Sequence, residues 1–236
     1  MKKHIALLFF TLFCVCCHTD KNIKYSNEIM VEHLKESIVA IVAYDNEEYK
    51  ISCSGVWLDS DLFITAYHCI TADIDKKDIR LIGSNVKFLT HKDLGDSIDI
   101  KEAPRIGEVL AIDPRNDLAL VLHQYSNNIQ HDFVKIYEGK IYAGRQVNII
   151  GNAMGLGFSY IPGYISGNRK MRGPFKKPLN VLQVSAAVMG GVSGGGVFDF
   201  ETGELFGICS FIAVKGVNLS FFIHRDSIVE FLYLNR

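Results

Sequence analysis

The chain has 236 residues, 48% of them apolar, with 25 basic and 26 acidic side chains and a formal net charge of -1. That length and apolar content suit one or two domains with a substantial core. The balanced charge argues against the concentrated basic surface of a nucleic-acid binder, so no nucleic-acid partner is expected; the one basic run, Gly167 to Lys177, reads as a solvated loop.

Residues 1–17, "MKKHIALLFFTLFCVCC", start with Lys2 and Lys3 and continue in an apolar run from Ile5 to Val15. That run is too short to span a bilayer as a helix and suits the core of an export signal. Cys16 and Cys17 follow directly, as at a bacterial lipoprotein site, although Cys14 and Cys16 stand where Leu and a small residue are usual before Cys17. Acylation of Cys17 (or, as the weaker alternative, Cys16) and simple cleavage both stay open. The expectation is an exported protein, periplasmic or in the cell envelope, with a lipid anchor as one route to membrane association. Three of the six cysteines lie in this leader, which leaves Cys53, Cys69 and Cys209. An oxidising compartment allows one bridge among them. Cys53 and Cys69 are the natural pair because the segment between them can return as a hairpin; Cys209 is then a free, small, buried side chain.

Residues 18–32 are polar and read as a tether, which leaves 33–236 as a single domain. The stretch "EIMVEHLKESIVAI" predicts a short helical turn and then a strand over Ile38 to Tyr44. Beyond it come about a dozen short runs rich in Val, Ile and aromatics, from "SCSGVWLD" to "LSFFIH", separated by Gly, Asp, Asn or Pro. Strands at that spacing predict an all-β chain in a closed or sandwiched antiparallel architecture. The end, "HRDSIVEFLYLNR", sets Ile228, Phe231 and Leu232 on one helical face and predicts a closing helix.

Three places along this β chain carry chemistry. "FITAYHCI" puts His68 at the end of an apolar strand. "DPRNDLALVL" puts Asp117 at the start of one, where a carboxylate can be buried at a barrel mouth. "GGVSGGG" surrounds Ser193 with glycines. A serine hydroxyl needs a base, a group that orients the base, and donors for the oxyanion that forms. Glycine lets the backbone come close enough to supply those donors, and the N–H groups of Gly191 and Ser193 are the candidates. A nucleophile elbow needs a helix after the serine, with the acid and the histidine following it. Here a strand, a Thr-Gly turn and another strand follow Ser193. The order His, Asp, Ser on a double barrel fits instead. Asp113 is a rival acid, but it precedes Pro114 and reads as a turn residue. His91, His123, His131 and His224 have no metal-ligand spacing, the mature chain has no Cys-x-x-Cys pair, and "GNAMGLG" lacks the ending of a phosphate loop. No metal and no cofactor are expected.

Taken together, "CSGVWLDSDLFITAYHC", "DPRNDLALVL", "GNAMGLGFSYIPGYISG" and "LQVSAAVMGGVSGGGVFDFETGELFGI" resemble trypsin-like serine proteases, and most closely the bacterial HtrA (Deg) type. The resemblance runs from about Val39 to the final helix. It implies two antiparallel six-stranded β-barrels with a short C-terminal helix. It also implies peptide-bond hydrolysis, with His68 as general base, Asp117 orienting it and Ser193 attacking the carbonyl. The spacing of Cys53 and Cys69 resembles the disulfide beside the histidine in chymotrypsin-like enzymes. Specificity for Lys or Arg needs an acid six positions before the nucleophile, and Ala187 stands there. With Met189, Ser210 and Phe211 it outlines an uncharged pocket for a small or medium apolar side chain, in protein or peptide substrates. Departures from the family pattern are Tyr67 for Ala, Gly196 for Pro, Met189 and Val192 beside the oxyanion glycines, and Ser220 for Gly. No PDZ segment is recognised, so the assembly of the HtrA type is not carried over and the oligomeric state stays open. The rival reading is a catalytically silent barrel used as a binding module; the intact His68, Asp117 and Ser193 argue against it, and the changes at Tyr67 and Gly196 keep it open.

Overall fold

The structure, a computed structural model, describes residues 27–45, 48–74, 78–81, 85–94, 105–123, 131–172, 178–212 and 218–235. The leader, with its alternative lipidation sites Cys16 and Cys17, lies outside the described residues, as does most of the expected tether.

Six antiparallel strands form each of two closed barrels. The first is built from β1 (Ile38–Asp45), β2 (Glu48–Trp57), β3 (Leu62–Thr65), β6 (Asn85–Thr90), β7 (Arg105–Asp113) and β8 (Leu118–Leu122) in the order β1-β2-β3-β8-β7-β6. The second is built from β9 (Gln146–Gly151), β10 (Ser159–Arg172), β11 (Pro178–Ser185), β12 (Gly196–Asp199), β13 (Leu205–Ile212) and β14 (Ser220–His224) in the order β10-β11-β14-β13-β12-β9. A separate hairpin pairs β4 (Thr71–Ile74) with β5 (Asp78–Leu81). Closure gives every barrel strand two partners and leaves the barrels without an open sheet edge.

The side-chain pattern explains how the barrels meet. Alternation along a strand sends successive residues to opposite faces. In β8, Ala119 and Val121 join the filling of the first barrel, together with Phe63, Phe88 and Trp57. The intervening Leu118 and Leu120 join Ile150, Phe198, Leu205 and Ile208 of the second barrel in one shared core. Both faces of β8 are therefore apolar, and the barrels pack face to face. Two helices close the seam. α1 (Asn27–Glu36) contributes Met30 and Leu34, and α3 (Arg225–Asn235) contributes Ile228, Phe231 and Leu232, the face expected from the sequence. A short α2 (His91–Leu94) follows β6.

Two local expectations change. α1 begins at Asn27, inside the segment read as a tether, because the i, i+4 pair Met30 and Leu34 buries against the barrels. β10 continues to Arg172, into the run read as a solvated basic loop, because its residues Asn168 to Arg172 pair with β11 in a long hairpin.

Candidate active site

His68 lies in the one-turn 3-10 segment Tyr67–Ile70, straight after β3. Asp117 lies one residue before β8, the strand paired to β3. The strand pairing therefore brings the two together. The Tyr67 N–H donates to the Asp117 carbonyl at 3.0 Å, and the His68 N–H donates to Asp117 Oδ1 at 3.0 Å. His68 Nδ1 lies 2.8 Å from Asp117 Oδ2. Asp117 is 3% exposed and has φ of 54°, a left-handed backbone that Asp tolerates better than most residues. An ionised carboxylate only accepts hydrogen bonds, so the His68 proton sits on Nδ1 and leaves Nε2 as an acceptor. The His68 side chain is 43% exposed, which opens that nitrogen to the surface.

The Asp117 carboxylate has a third donor, Ser210 Oγ, which reaches Oδ2. Along β13, Cys209 faces Phe222 and Phe211 faces Phe221, so Ser210 is the extra residue of a bulge. Bulges re-aim side chains in this way. Ser210, one of the pocket candidates, thus has its hydroxyl on Asp117, because the bulge turns it out of the strand's alternation.

The loop around Ser193 is pinned from both sides. Gly194 N–H donates to the Cys209 carbonyl at 2.8 Å, and Met154 N–H donates to the Gly190 carbonyl at 2.6 Å. From the first barrel, Ser54 N–H donates to the Ser193 carbonyl at 2.7 Å and Ser54 Oγ donates to the Gly191 carbonyl at 2.8 Å. Gly191 and Gly194 have φ of 90° and 81°. A side chain on Gly191 would run into the Asn152 carbonyl, and one on Gly194 into the Ser54 carbonyl and Thr65. The same position on Gly194 lies 3.1 Å from the Ala66 nitrogen, so the serine turn abuts the turn that carries His68. Among the described residues, the Gly191 and Ser193 N–H groups have no hydrogen-bond partner, and Ser193 Oγ makes no hydrogen bond to His68 or to any other group. Such bonds often form only once substrate is bound.

Cys53 and Cys69 are bridged, with Cα atoms 5.9 Å apart, and Cys209 is free and buried. Burial, with a smaller contribution from the Asp117 charge, pushes the Cys209 thiol up to about 12. Ala187 and Met189 are exposed, and Phe211 is half-buried and stacked on Phe221 with centroids 5.1 Å apart. Tyr67 is 8% exposed and packs with Trp57 and Ile70 in the first barrel rather than shaping a cleft. Val192 is fully buried in the second barrel's core, and Ser220 donates to the Ala186 carbonyl at 3.3 Å. Asp113 accepts from the Asn116 backbone and amide, a turn role. The four histidines without metal-ligand spacing have structural contacts: His91 with Glu36, His123 with the Ile106 carbonyl, His131 stacked on Trp57, and His224 with Asp226.

A family model described as trypsin-like peptidase domain matches residues 53–208. The chain belongs to that family. By membership it is a serine endopeptidase. Similar solved structures include the Rv3671c protease from M. tuberculosis in its active form, 19% identical, with a TM-score of 0.70, covering 98% of this chain and 94% of that one. Another is the HtrA-type protease AlgW with tripeptide, 19% identical, TM-score 0.69, covering 88% of this chain and 62% of that one. A third is the serine endoprotease from Yersinia pestis, 20% identical, TM-score 0.63, covering 89% and 66%. At these identities the likeness is one of fold. No curated protein matches the peptidase.

Proposed function

We propose that the peptidase cuts peptide bonds by a Ser193 acyl-enzyme mechanism with His68 as general base and Asp117 as its orienting acid. The observation that carries this reading is the Asp117 carboxylate, held by three donors and bonded at 2.8 Å to His68 Nδ1, which leaves Nε2 basic and facing outward. Ser193 Oγ attacks the scissile carbonyl carbon as its proton passes to Nε2. The negative oxygen of the tetrahedral adduct is taken up by the N–H groups of Gly191 and Ser193. The adduct collapses, Nε2 returns the proton to the leaving amine, and the acyl group remains on Ser193. Water, deprotonated by the same nitrogen, then releases the acid.

The pocket reading follows from the absence of charge at Ala187, Val188 and Met189, and assigns a small or medium apolar residue on the acyl side of the cut bond. The leader-like start and the bridged Cys53 and Cys69 support an exported enzyme acting on proteins or peptides outside the cytoplasm.

The test is covalent labelling with a fluorophosphonate, paired with cleavage of a peptide library. Labelling is expected on wild-type protein and not on Ser193→Ala. That variant should keep its fold and lose activity by on the order of 10⁶-fold. Asp117→Asn, by forcing the wrong imidazole tautomer, should lose about 10⁴-fold. Absence of labelling and of cleavage in folded wild-type protein would leave a binding module on a peptidase frame.

A further inference from the structure

The metal-ligating atoms of Cys53, His68 and Cys69 all lie within 4.8 Å of one another. While the sulfurs are bridged they offer a cation nothing, because the thiolate is the ligand form. We propose that reduction of the Cys53–Cys69 bridge turns this cluster into a binding site for a thiophilic divalent ion such as zinc, held by the two thiolates and His68.

The chemistry is balanced in two steps. A dithiol reductant gives two electrons and two protons to the bridge and ends as its own disulfide, leaving thiols at Cys53 and Cys69. Binding of the ion then displaces both thiol protons to solvent. Two sulfurs and one nitrogen form a donor set that suits zinc and leaves one coordination position for water.

Contacts other than the bridge keep the three residues together. Cys53 lies within β2, opposite Ile41 of β1. The turn that carries Cys69 is held by its own N–H on the Ala66 carbonyl at 3.1 Å and by the Tyr67 N–H on the Asp117 carbonyl. His68 is held by the Asp117 carboxylate. Cys53 and Cys69 are 6% and 8% exposed, so the sulfur side is nearly dry, while the half-exposed imidazole leaves an entry for the ion. With the ion on Nε2, Asp117 on Nδ1 gives the outer support that metal-binding histidines use. The sequence reading missed the site because it counted both cysteines as spent in the bridge and because the two lie 16 positions apart.

The ion would also silence the enzyme. Bound at Nε2, it occupies the nitrogen that takes the Ser193 proton; bound at Nδ1, it breaks the bond to Asp117. This consequence rests on the proposed triad, whereas the metal site does not.

The experiment takes the full chain, bridged or reduced with a phosphine (which consumes one water and leaves as its oxide), and titrates each form with Co²⁺ under argon. The reduced protein is expected to bind one equivalent with a thiolate-to-cobalt charge-transfer band, displaced by Zn²⁺, while its near-UV circular dichroism persists. The bridged protein should show no band. His68→Ala, a change at an exposed side chain, should weaken the band and lose the one-to-one endpoint. One equivalent of zinc should abolish peptide hydrolysis by the reduced form alone, and a chelator should restore it. A band with undiminished hydrolysis would uphold the site and remove His68 as the base. No band after reduction, an unchanged titration in His68→Ala, or loss of the near-UV signal on reduction would overturn the site.

Discussion

The hydroxyl of Ser210 reaches Asp117 only because β13 carries one residue more than β14 at that point. It is one of three donors to a carboxylate that is almost wholly buried, and a hydrogen bond to a charged group contributes about 1.5–3 kcal/mol. Ser210→Ala should therefore lower kcat roughly ten- to hundredfold, with KM nearly unchanged, because Asp117 then holds the imidazole less firmly. Ser210→Thr keeps the hydroxyl and should recover part of the loss. Steady-state kinetics on one apolar peptide checks both, and an unchanged kcat in Ser210→Ala would remove the residue from the support of Asp117. Strand alternation carries no sign of the bulge, so the bond from Ser210 to Asp117 is not legible in the sequence. The sequence marks His68 and Asp117 as candidates because each lies where an apolar strand meets a turn, and Ser193 because glycines surround it. Gly196 stands where the family pattern has Pro. It is the first residue of β12, and a side chain there would strike the Phe198 ring.

At the scale of elements, the start of β9 is tied to the end of β12. Arg145 donates from Nε to Asp199 Oδ1 at 3.1 Å and from its terminal nitrogen to Oδ2 at 2.5 Å. The guanidinium also bonds the Tyr137 hydroxyl and lies 4.6 Å from that ring's centroid. The Asp199 side chain is 1% exposed. Arg145→Met leaves that carboxylate buried without its countercharge, a change that costs about 3–5 kcal/mol. The expected result is a lower urea midpoint at an unchanged slope, with partial recovery when Asp199→Asn is added. No shift in midpoint would mean that Thr202 and the local backbone suffice for Asp199. Pattern reading identified most strands here, since Val, Ile and aromatic runs stand out. It missed β4, whose four residues "TADI" are short and half polar, and it cut β10 short because pairing to β11, rather than local apolar content, carries that strand through Asn168 to Arg172.

For the molecule as a whole, acid should loosen the second barrel where β14 passes into α3. Burial lowers the His224 pKa from its ordinary value of 6.5, the Asp226 charge partly opposes this, and Arg225 adds to it. The ring accepts the Asp226 N–H at Nδ1 at 3.1 Å, an arrangement that needs the neutral form. A lowered folded-state value means the unfolded chain takes up the proton first. The stabilising contribution is thus fully present above 6.5 and is lost as the pH falls through the folded value. Urea midpoints should fall between about pH 8 and about pH 5 by more in wild-type protein than in His224→Gln. Equal falls in the two proteins would assign the acid sensitivity to other groups.

The Ser54 clamp bears on when the enzyme first becomes dangerous to its surroundings. His68, Asp117 and Ser54 come from the first half of the chain and Ser193 from its last quarter. On the proposed triad, the first barrel by itself holds a base with nothing to activate. The loop bearing Ser193 and Gly191 gains two of its backbone anchors only when it meets Ser54 across the seam. A chain cut short before the second barrel therefore lacks both the proposed nucleophile and its clamp, and cleavage requires the two barrels to have closed on each other.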